Sequence, residues 1–262
     1  MVGRLQLRAP VSCVAALAAA ALLTACAGSG ARGGSPSQAT PSAAPGGVQA
    51  TITAEEAEAM LENVHWLGHA SFRITDGKTI YIDPWQLKDN VPADIILITH
   101  EHYDHCSPED VRSIRGPNTT VVATADCAAK LGGDVVVVKP GDKITVQGIA
   151  VEAVPSYNLD KPFHPRQSGW VGYIVTVNGV RIYHAGDSDH IPEMDSLRVD
   201  VALLPIGGKY TMTASEAAAA ANAMRPGVAV PMHWGGIVGS RKDAERFRDA
   251  CRVPVRILEP GA

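Results

Sequence analysis

The sequence predicts an α/β protein in which β-sheets carry helices on their outer faces. Gly follows Asp or Asn at 76–77 and 178–179, each time between two strand-like runs, and such pairs are strong hairpin signals. Continuous apolar runs at 93–99 and 200–206 are typical of strands buried on both faces. Capped helical segments alternate with these strands, so we expect a layered α/β architecture.

The first half of the expected fold contains a helix, a hairpin and strand–helix units. Thr53 and Glu56 have the spacing of a capping box, so a helix should run from there to about Asn63. Ser107 and Pro108 suit the N-cap and the first turn of a second helix. The strand-like runs of this half are 64–75, 78–83, 93–99, 119–123 and 134–138.

The second half repeats this alternation after a pair of strands. A loop is expected at 155–168, and the run 169–187 should form two strands joined at Asn178-Gly179. Thr213 is a suitable N-cap for an alanine-rich helix. The other expected elements are strands at 143–147, 149–154, 200–206, 227–234 and 255–258, and helices at 213–224 and 240–251.

The first 50 residues are predicted to lie outside the folded domain. Two arginines precede an apolar stretch that ends in LTAC at 23–26; this layout indicates a signal peptide and resembles a bacterial lipoprotein box. Residues 1–26 would then be the signal and Cys26 the lipidated residue, with a plain secretory signal or an uncleaved anchor as alternatives. Residues 27–50 are rich in Gly, Ser, Pro and Ala, which predicts a flexible linker. We therefore expect an extracytoplasmic protein that is lipid-anchored to a bacterial membrane.

Composition and net charge indicate which kind of molecule the protein binds. A chain of 262 residues with 46% hydrophobic and 19% charged residues suits one globular domain over 51–262. The formal net charge of -4 offers no basic footprint for nucleic acid, so we expect a small-molecule substrate. The five cysteines include no CxxC pair, which argues against a cysteine-rich zinc site.

Three histidines and two acids are concentrated in THEHYDHCSP, residues 99–108. The segment follows a buried strand and precedes a helix, and ligands of open α/β sheets tend to bind at such strand ends. Imidazole and carboxylate groups are ligands of zinc, manganese or iron. His100 and His102 are near enough to share one ion, and Asp104 and His105 could turn toward a second. The alternative is a polar loop whose histidines only cap the helix.

The H-x-H-x-D-H spacing resembles the metallo-β-lactamase superfamily, and other motifs follow the same family in order. They are WLGHASFRI and IYIDPW before this segment, and YHAGDSD, LLPIGG and AVPMHWG after it. The resemblance covers residues 64–236 and points to the branch of ascorbate-6-phosphate lactonase-like hydrolases and, more loosely, to the N-acyl phosphatidylethanolamine phospholipase D type. It implies an αββα sandwich of two mixed β-sheets with helices on the outer faces.

The resemblance also implies a site for two divalent transition-metal ions, zinc or manganese. A carboxylate between them makes physical sense, because two dications about 3.5–4 Å apart need negative charge between them. The corresponding residues here are His100 and His102 for the first ion, Asp104, His105 and His233 for the second ion, and Asp187 for the bridge.

The third ligand of the first ion is open. The family usually supplies a histidine from the middle of the chain, where this sequence has VPSYNLDKPFHP at 154–165. Tyr157 or Asn158 stands where the histidine is common, and His164 follows a few residues later. The third ligand of the first ion is therefore His164, Asn158 or water.

Further residues are expected to support the site. Asp83 ends a strand and could accept the second N–H of a ligating imidazole; His69 could line the pocket or be a satisfied strand histidine, and Lys209 could touch substrate. The resemblance implies a hydrolase in which metal-bound hydroxide attacks an ester, lactone or phosphoester, oriented by Asp104 or Asp187. The alternatives are a lipid or nucleotide phosphodiesterase of the same fold, and a non-catalytic metal- or ligand-binding surface module.

Overall fold

The structure is a computed structural model and describes residues 52–261. Two six-stranded mixed sheets pack face to face with helices on their outer faces, so the predicted αββα fold is confirmed. The predicted signal peptide, Cys26 and the linker at 27–50 lie outside the described residues. Within 52–261, every helix is too short or too polar to cross a bilayer.

The first sheet is formed by the N-terminal half of the described chain. Its strands β1 to β3 are antiparallel, whereas β3 to β6 run parallel. The strands lie side by side in chain order: β1 (Val64–Gly68), β2 (Ser71–Thr75), β3 (Thr79–Ile82), β4 (Ala93–Ile98), β5 (Arg115–Ala123) and β6 (Val135–Val137).

The second sheet is formed by the C-terminal half in the same manner. Its strands β7 to β10 are antiparallel, and β10 to β12 run parallel. In chain order they are β7 (Lys143–Val146), β8 (Ile149–Pro155), β9 (Val171–Val177), β10 (Val180–His184), β11 (Val201–Pro205) and β12 (Val228–Met232).

The helices begin where the sequence supplies caps. Capping boxes formed by Thr53 with Glu56 and by Thr213 with Glu216 start the first and fourth helices, and the Ser107 hydroxyl accepts the N–H of Asp110 at the start of the second. The helices are α1 (Ala54–Met60), α2 (Pro108–Ile114), α3 (Ala125–Leu131), α4 (Ala214–Met224) and α5 (Arg241–Ala250), with 3-10 turns at Leu61–Asn63, Arg166–Ser168 and Pro192–Ser196.

Strand β4 accounts for the packing of the layers. Ile95 and Leu97 belong to the large core between the two sheets, whereas Ile96 and Ile98 pack in a smaller core with α2 and α3 on the outer face. All four side chains are fully buried, as the continuous apolar run predicted. The strand thereby fixes the start of the loop that follows it, which carries the histidine motif.

Two element predictions were wrong, and one helix was not predicted. The run 64–75 is two strands, because the chain turns at His69 with φ 51°; His69 is therefore a turn residue and not a strand histidine. The segment 255–258 forms only an isolated bridge between Val255 and Ala229, and the proline at 254 removes one backbone donor. Helix α3 was not predicted, because its sequence ADCAAKL is short and has a weak apolar pattern.

Candidate metal centre

The residues expected to bind metal meet at one edge of the two sheets. The motif loop follows β4 of the first sheet, whereas Asp187 and His233 follow β10 and β12 of the second sheet. His164 lies in the loop after β8, which runs in the same direction as β10 because both pair antiparallel with β9. All these side chains therefore lie near the carboxyl ends of strands, as expected for ligand sites in α/β folds.

One cluster, the first histidine group, consists of His100, His102 and His164. One ligand atom from each residue lies within 4.8 Å of the others, and Nε2 of His100 is 3.2 Å from Nδ1 of His102. His100 and His164 are almost completely buried. The loop after β8 thus brings His164, and not Tyr157, to the motif histidines; the Tyr157 hydroxyl instead donates to Glu193.

The second histidine group combines His105 and His233 with Asp104. Their ligand atoms and that of His69 lie within 4.8 Å of one another. Nε2 of His69 donates to Oδ2 of Asp104 at 3.0 Å, and the His69 ring lies 3.8 Å from the His233 ring. The turn at His69 therefore holds Asp104 and His233 in place from one side.

Asp187 lies between the two groups. Its Oδ2 is 3.3 Å from Nε2 of His164 in the first group and 3.1 Å from Nε2 of His233 in the second, and its Oδ1 is 3.3 Å from Nε2 of His105. One carboxylate therefore faces imidazoles from both groups. His184 supports this position, because its Nδ1 accepts the N–H of Gly186 while its Nε2 donates to the Ala70 carbonyl.

In three of the imidazoles, the Nδ1 atom is held by a hydrogen bond. Nδ1 of His105 donates to Asp83 at 2.7 Å, and Nδ1 of His164 donates to Oδ1 of Asn158 at 3.0 Å. Nδ1 of His100 donates to the Thr99 hydroxyl, which in turn donates to Asp83. In its neutral form, which carries one proton, each of these imidazoles therefore directs its Nε2 lone pair into the site.

Unpartnered buried atoms test whether the site fits a cation. The Nε2 atoms of His105, His164 and His233 lie close to the Asp187 carboxylate but are not aligned for hydrogen bonds with it, and they and Oδ1 of Asp187 are buried without a hydrogen-bond partner. Four such atoms within one site are unusual, because buried polar groups are nearly always paired. Lone pairs of imidazole and carboxylate are the donors that transition metals take, so the residues fit a metal site.

Comparison with known proteins identifies the family. Residues 63–233, which is more than half of the chain, match the family described as "Beta-lactamase superfamily domain". The chain belongs to the metallo-β-lactamase superfamily. The predicted family is therefore confirmed, and the histidine motif and Asp187 lie within the matched residues.

Similar members of the superfamily are named metal-dependent hydrolases. The chain is 36% identical to a UPF0173 metal-dependent hydrolase of Thermoplasma acidophilum over 205 residues, which is 70% of this chain and 88% of the relative. A crystal structure designated a metal-dependent hydrolase from Parabacteroides distasonis has 37% identity and a TM-score of 0.69, covering 75% of this chain and 92% of that one. Igni18, a metallo hydrolase from Ignicoccus hospitalis, has 28% identity and a TM-score of 0.63, covering 76% of this chain and 95% of that one.

The charges of this superfamily site favour cation binding. Burial raises the pKa of Asp187, but the neighbouring His105 and His233 outweigh it and hold the pKa well below its usual range, so the carboxylate is ionised. Burial also lowers the pKa of His100 well below its ordinary value, which keeps that imidazole neutral. Burial opposes protonation of His105, yet Asp187 and Asp83 raise its pKa well above the usual value. Metal binding should therefore release a proton from His105.

Several predicted supporting residues take definite places. Asp83 is fully buried and accepts a hydrogen bond from His105, while His69 contacts Asp104 within the site. Asn158 orients His164 through its side-chain carbonyl oxygen, which accepts hydrogen bonds from the His164 N–H and Nδ1. Lys209 does not line the cavity over the histidines; its Nζ lies 4.8 Å from the centre of the Tyr210 ring instead.

Sequence reasoning missed Trp170 and Thr99. The Trp170 ring lies 5.0 Å from that of His100 and 4.8 Å from that of His102, and its Nε1 donates to Asp126 at the start of α3. Trp170 therefore closes the first histidine group on one side. Its position just before β9 carries no recognisable motif, whereas Thr99 directly precedes the histidine motif and could have been considered.

Proposed function

We propose that this protein is a metal-dependent hydrolase that works with two divalent transition-metal ions. The observation that carries the proposal is the Asp187 carboxylate, which lies within 3.3 Å of imidazoles from both histidine groups. A two-metal hydrolase needs one negative group between its ions. The names of the relatives, metal-dependent hydrolases, support the same activity.

The two groups divide the ligands between the ions. Asn158 and water are disfavoured as third ligand of the first ion, because Asn158 is occupied in orienting His164 and His164 is grouped with the motif histidines. The imidazole-rich donor set favours zinc, and manganese is the alternative. The proposed ligands are His100, His102 and His164 for the first ion, Asp104, His105 and His233 for the second ion, and Asp187 for both.

The protein groups have distinct tasks in this reaction. When bound, the ions supply a nucleophile by lowering the pKa of a coordinated water, and they polarise the bond to be cleaved. Burial raises the pKa of Asp104, but the hydrogen bond from His69 outweighs it and lowers the pKa to about 2. Such a weak base is suited to orient the attacking water and not to store its proton. Asp187 is ionised in the same way and holds the two halves of the site at a fixed separation.

The bond cleaved is proposed to be an ester or a lactone, with a phosphoester as a further possibility of the same site. The motifs that resemble ascorbate-6-phosphate lactonase-like hydrolases support carbonyl chemistry. A non-catalytic module is disfavoured, because the position of His164 supplies the ligand whose absence would have been its main support.

The domain is proposed to be attached to a bacterial membrane from outside the cytoplasm. The support lies in the sequence, where LTAC at 23–26 precedes a Gly-, Ser- and Pro-rich segment. Metabolic labelling with a radioactive fatty acid tests this proposal. Label should enter the wild-type protein and be lost in Cys26→Ala; label that persists in the variant would contradict the assignment.

Elemental analysis of the full-length chain tests the metal centre. About two transition-metal ions per chain are expected, and His102→Ala should bind fewer ions and lose hydrolysis. His190→Ala is a matched control, because His190 pairs with Asp195 outside both histidine groups. A wild-type protein that takes up no ion from zinc or manganese solutions would refute the proposal. If His164→Ala retained both ions at wild-type affinity, the assignment of the third ligand would be wrong.

A further inference from the structure

The cavity over the metal centre is small and opens through an apolar rim. Its volume is about 240 Å³, and its lining includes His102, Asp104 and Asp187. The remaining lining includes the side chains of Tyr103, Phe163, Tyr210 and Ile237, which we call the rim. Sites that enclose a whole ligand usually measure about 300–1,000 Å³. The cavity therefore holds the reacting group, and the rest of a substrate must lie on the rim.

The rim contains apolar side chains that are exposed. Among residues 52–261, seven large hydrophobic side chains are exposed, and three of them belong to the rim: Tyr103 at 65%, Phe163 at 39% and Ile237 at 40%. Leu159, at 54%, lies on the same loop as Phe163. Single exposed apolar residues need no explanation, but a group of them around a cavity marks a binding surface.

Neighbouring rings hold the rim in a defined arrangement. Phe163 meets Tyr210 edge-to-face with ring centres 4.8 Å apart, which is a favourable geometry for aromatic pairs. On the other side, Tyr103 packs edge-to-face on Trp85 at 6.2 Å. Because the rings are supported in the described structure, little side-chain freedom has to be lost when an apolar group binds.

The cavity lining contributed by residues 52–261 contains no cationic side chain. Within the described part of the chain, neither lysine nor arginine lines the cavity. Lys161 is held by the Asp189 carboxylate, and Lys209 lies against the ring of Tyr210. Recognition of a phosphate or carboxylate usually uses arginine or lysine hydrogen bonds. A sugar phosphate would therefore find neither lysine nor arginine in the described lining of the cavity.

We infer that the substrate carries an uncharged apolar group next to the bond that is cleaved, as in an alkyl-substituted lactone or an acyl ester. This inference rests on the proposed hydrolase function and defines its substrate class. The reacting carbonyl enters the cavity, and the alkyl group covers Phe163 and Ile237. The resemblance to ascorbate-6-phosphate lactonase-like enzymes then extends to the bond type and not to the phosphate.

A series of alkyl γ-lactones, together with one phosphorylated δ-lactone, tests the inference on the zinc-loaded full-length chain. The substrates are γ-butyrolactone, γ-hexalactone, γ-octalactone and, as the anionic member, 6-phosphogluconolactone. We expect kcat/KM to rise by about fourfold for each methylene that the rim covers, and the phosphorylated lactone to be the poorest substrate. Phe163→Ala and Ile237→Ala should reduce the ratio of kcat/KM for octalactone over butyrolactone. Val137→Ala is the control, because Val137 is exposed on β6 outside the cavity.

A charge-changing variant sharpens the test. Ile237→Lys should raise kcat/KM for the phosphorylated lactone relative to octalactone, and metal content measured for every variant identifies indirect damage to the centre. Hydrolysis with a flat or falling alkyl series, or with a preference for the phosphorylated lactone, would overturn the inference and leave the proposed function intact. If the metal-loaded protein hydrolysed no lactone and no p-nitrophenyl acyl ester, the proposed carbonyl chemistry would be refuted, and this inference with it.

Discussion

Asp83→Asn would test how much the residue that supports a proposed metal ligand contributes, while the ligand itself, His105, stays in place. The Asp83 carboxylate accepts three hydrogen bonds, from the Thr99 N–H at 2.8 Å, the Thr99 hydroxyl at 2.6 Å and Nδ1 of His105 at 2.7 Å. Asparagine has nearly the same shape but only one acceptor oxygen. In either orientation its NH₂ group faces a donor, so at least one of the three bonds is lost.

The magnitude of the effect follows from burial. Asp83 is fully buried, and a hydrogen bond to a charged group contributes about 1.5–3 kcal/mol. We therefore expect the free energy of unfolding of the metal-free protein to fall by about 2 kcal/mol. A neutral amide no longer raises the basicity of His105 as the carboxylate does, so binding of the second ion should weaken by about 10- to 100-fold, as is typical for residues behind a metal ligand.

The assay is competition between the protein and a coloured chelator, with denaturant unfolding of the metal-free chain measured in parallel. Asp94→Asn is a matched control, because the Asp94 carboxylate also accepts a hydrogen bond from a backbone N–H, that of Thr79. Asp94 is partly exposed and does not belong to either histidine group. That control should leave metal affinity unchanged. If Asp83→Asn loses stability but keeps wild-type affinity for both ions, Asp83 supports only the fold and the reasoning is refuted.

Further predictions concern metal loading, the loop that carries His164 and backbone packing. Removal of the ions with a chelator should lower the free energy of unfolding by about 2.7 kcal/mol for each ion, relative to protein at 100 times the Kd of that ion; an unchanged denaturation midpoint would contradict a structural contribution of the ions. Asn158→Ala should weaken the first ion by about tenfold or more, because His164 loses the acceptor of its Nδ1 proton; chelator competition measures this loss, and equal affinity would show that His164 is held by other contacts. Gly172→Ala should destabilise the protein by about 3 kcal/mol or more, because a Cβ there would lie 2.6 Å from the His184 carbonyl oxygen. Gly116→Ala is the control, because a Cβ there meets only Thr119, at 3.7 Å. In the same denaturation experiment it should have little effect.

Local chemistry accounts for the parts of the fold that the sequence predicts well. The hairpins at 76–77 and 178–179 and the buried strand β4 depend on turn residues and continuous apolar runs, which act over a few positions. The turn at His69 is different. Its geometry is fixed by contacts that close only in the fold, such as the hydrogen bond from the His233 N–H to the His69 carbonyl. A linear pattern of strand-like residues cannot reveal such a turn.

The candidate site divides in the same way. The spacing of the motif after β4 locates half of the ligands directly, because consecutive loop residues stay close to one another. Asp187 and His233 could be proposed only through the family resemblance, since the order of strands in the second sheet brings them to the motif. The choice between Asn158 and His164 depends on the path of one loop, which Asp189 fixes by accepting the Leu159 N–H and the Asn158 amide. The sequence around Asn158 and His164 gives no sign of these contacts with Asp189.

Each of the two sheets is formed by one uninterrupted half of the chain, and this arrangement makes the protein a candidate for splitting into two fragments. The halves are joined only between β6 and β7, where Gly141 lies in a turn. A cut there leaves four proposed ligands on one fragment, including His100 and His105, and three on the other, including Asp187. Neither fragment alone would hold all the proposed ligands of either ion. Hydrolysis would then appear only after the two pieces reassociate, so enzymatic turnover would serve as a direct readout of fragment complementation.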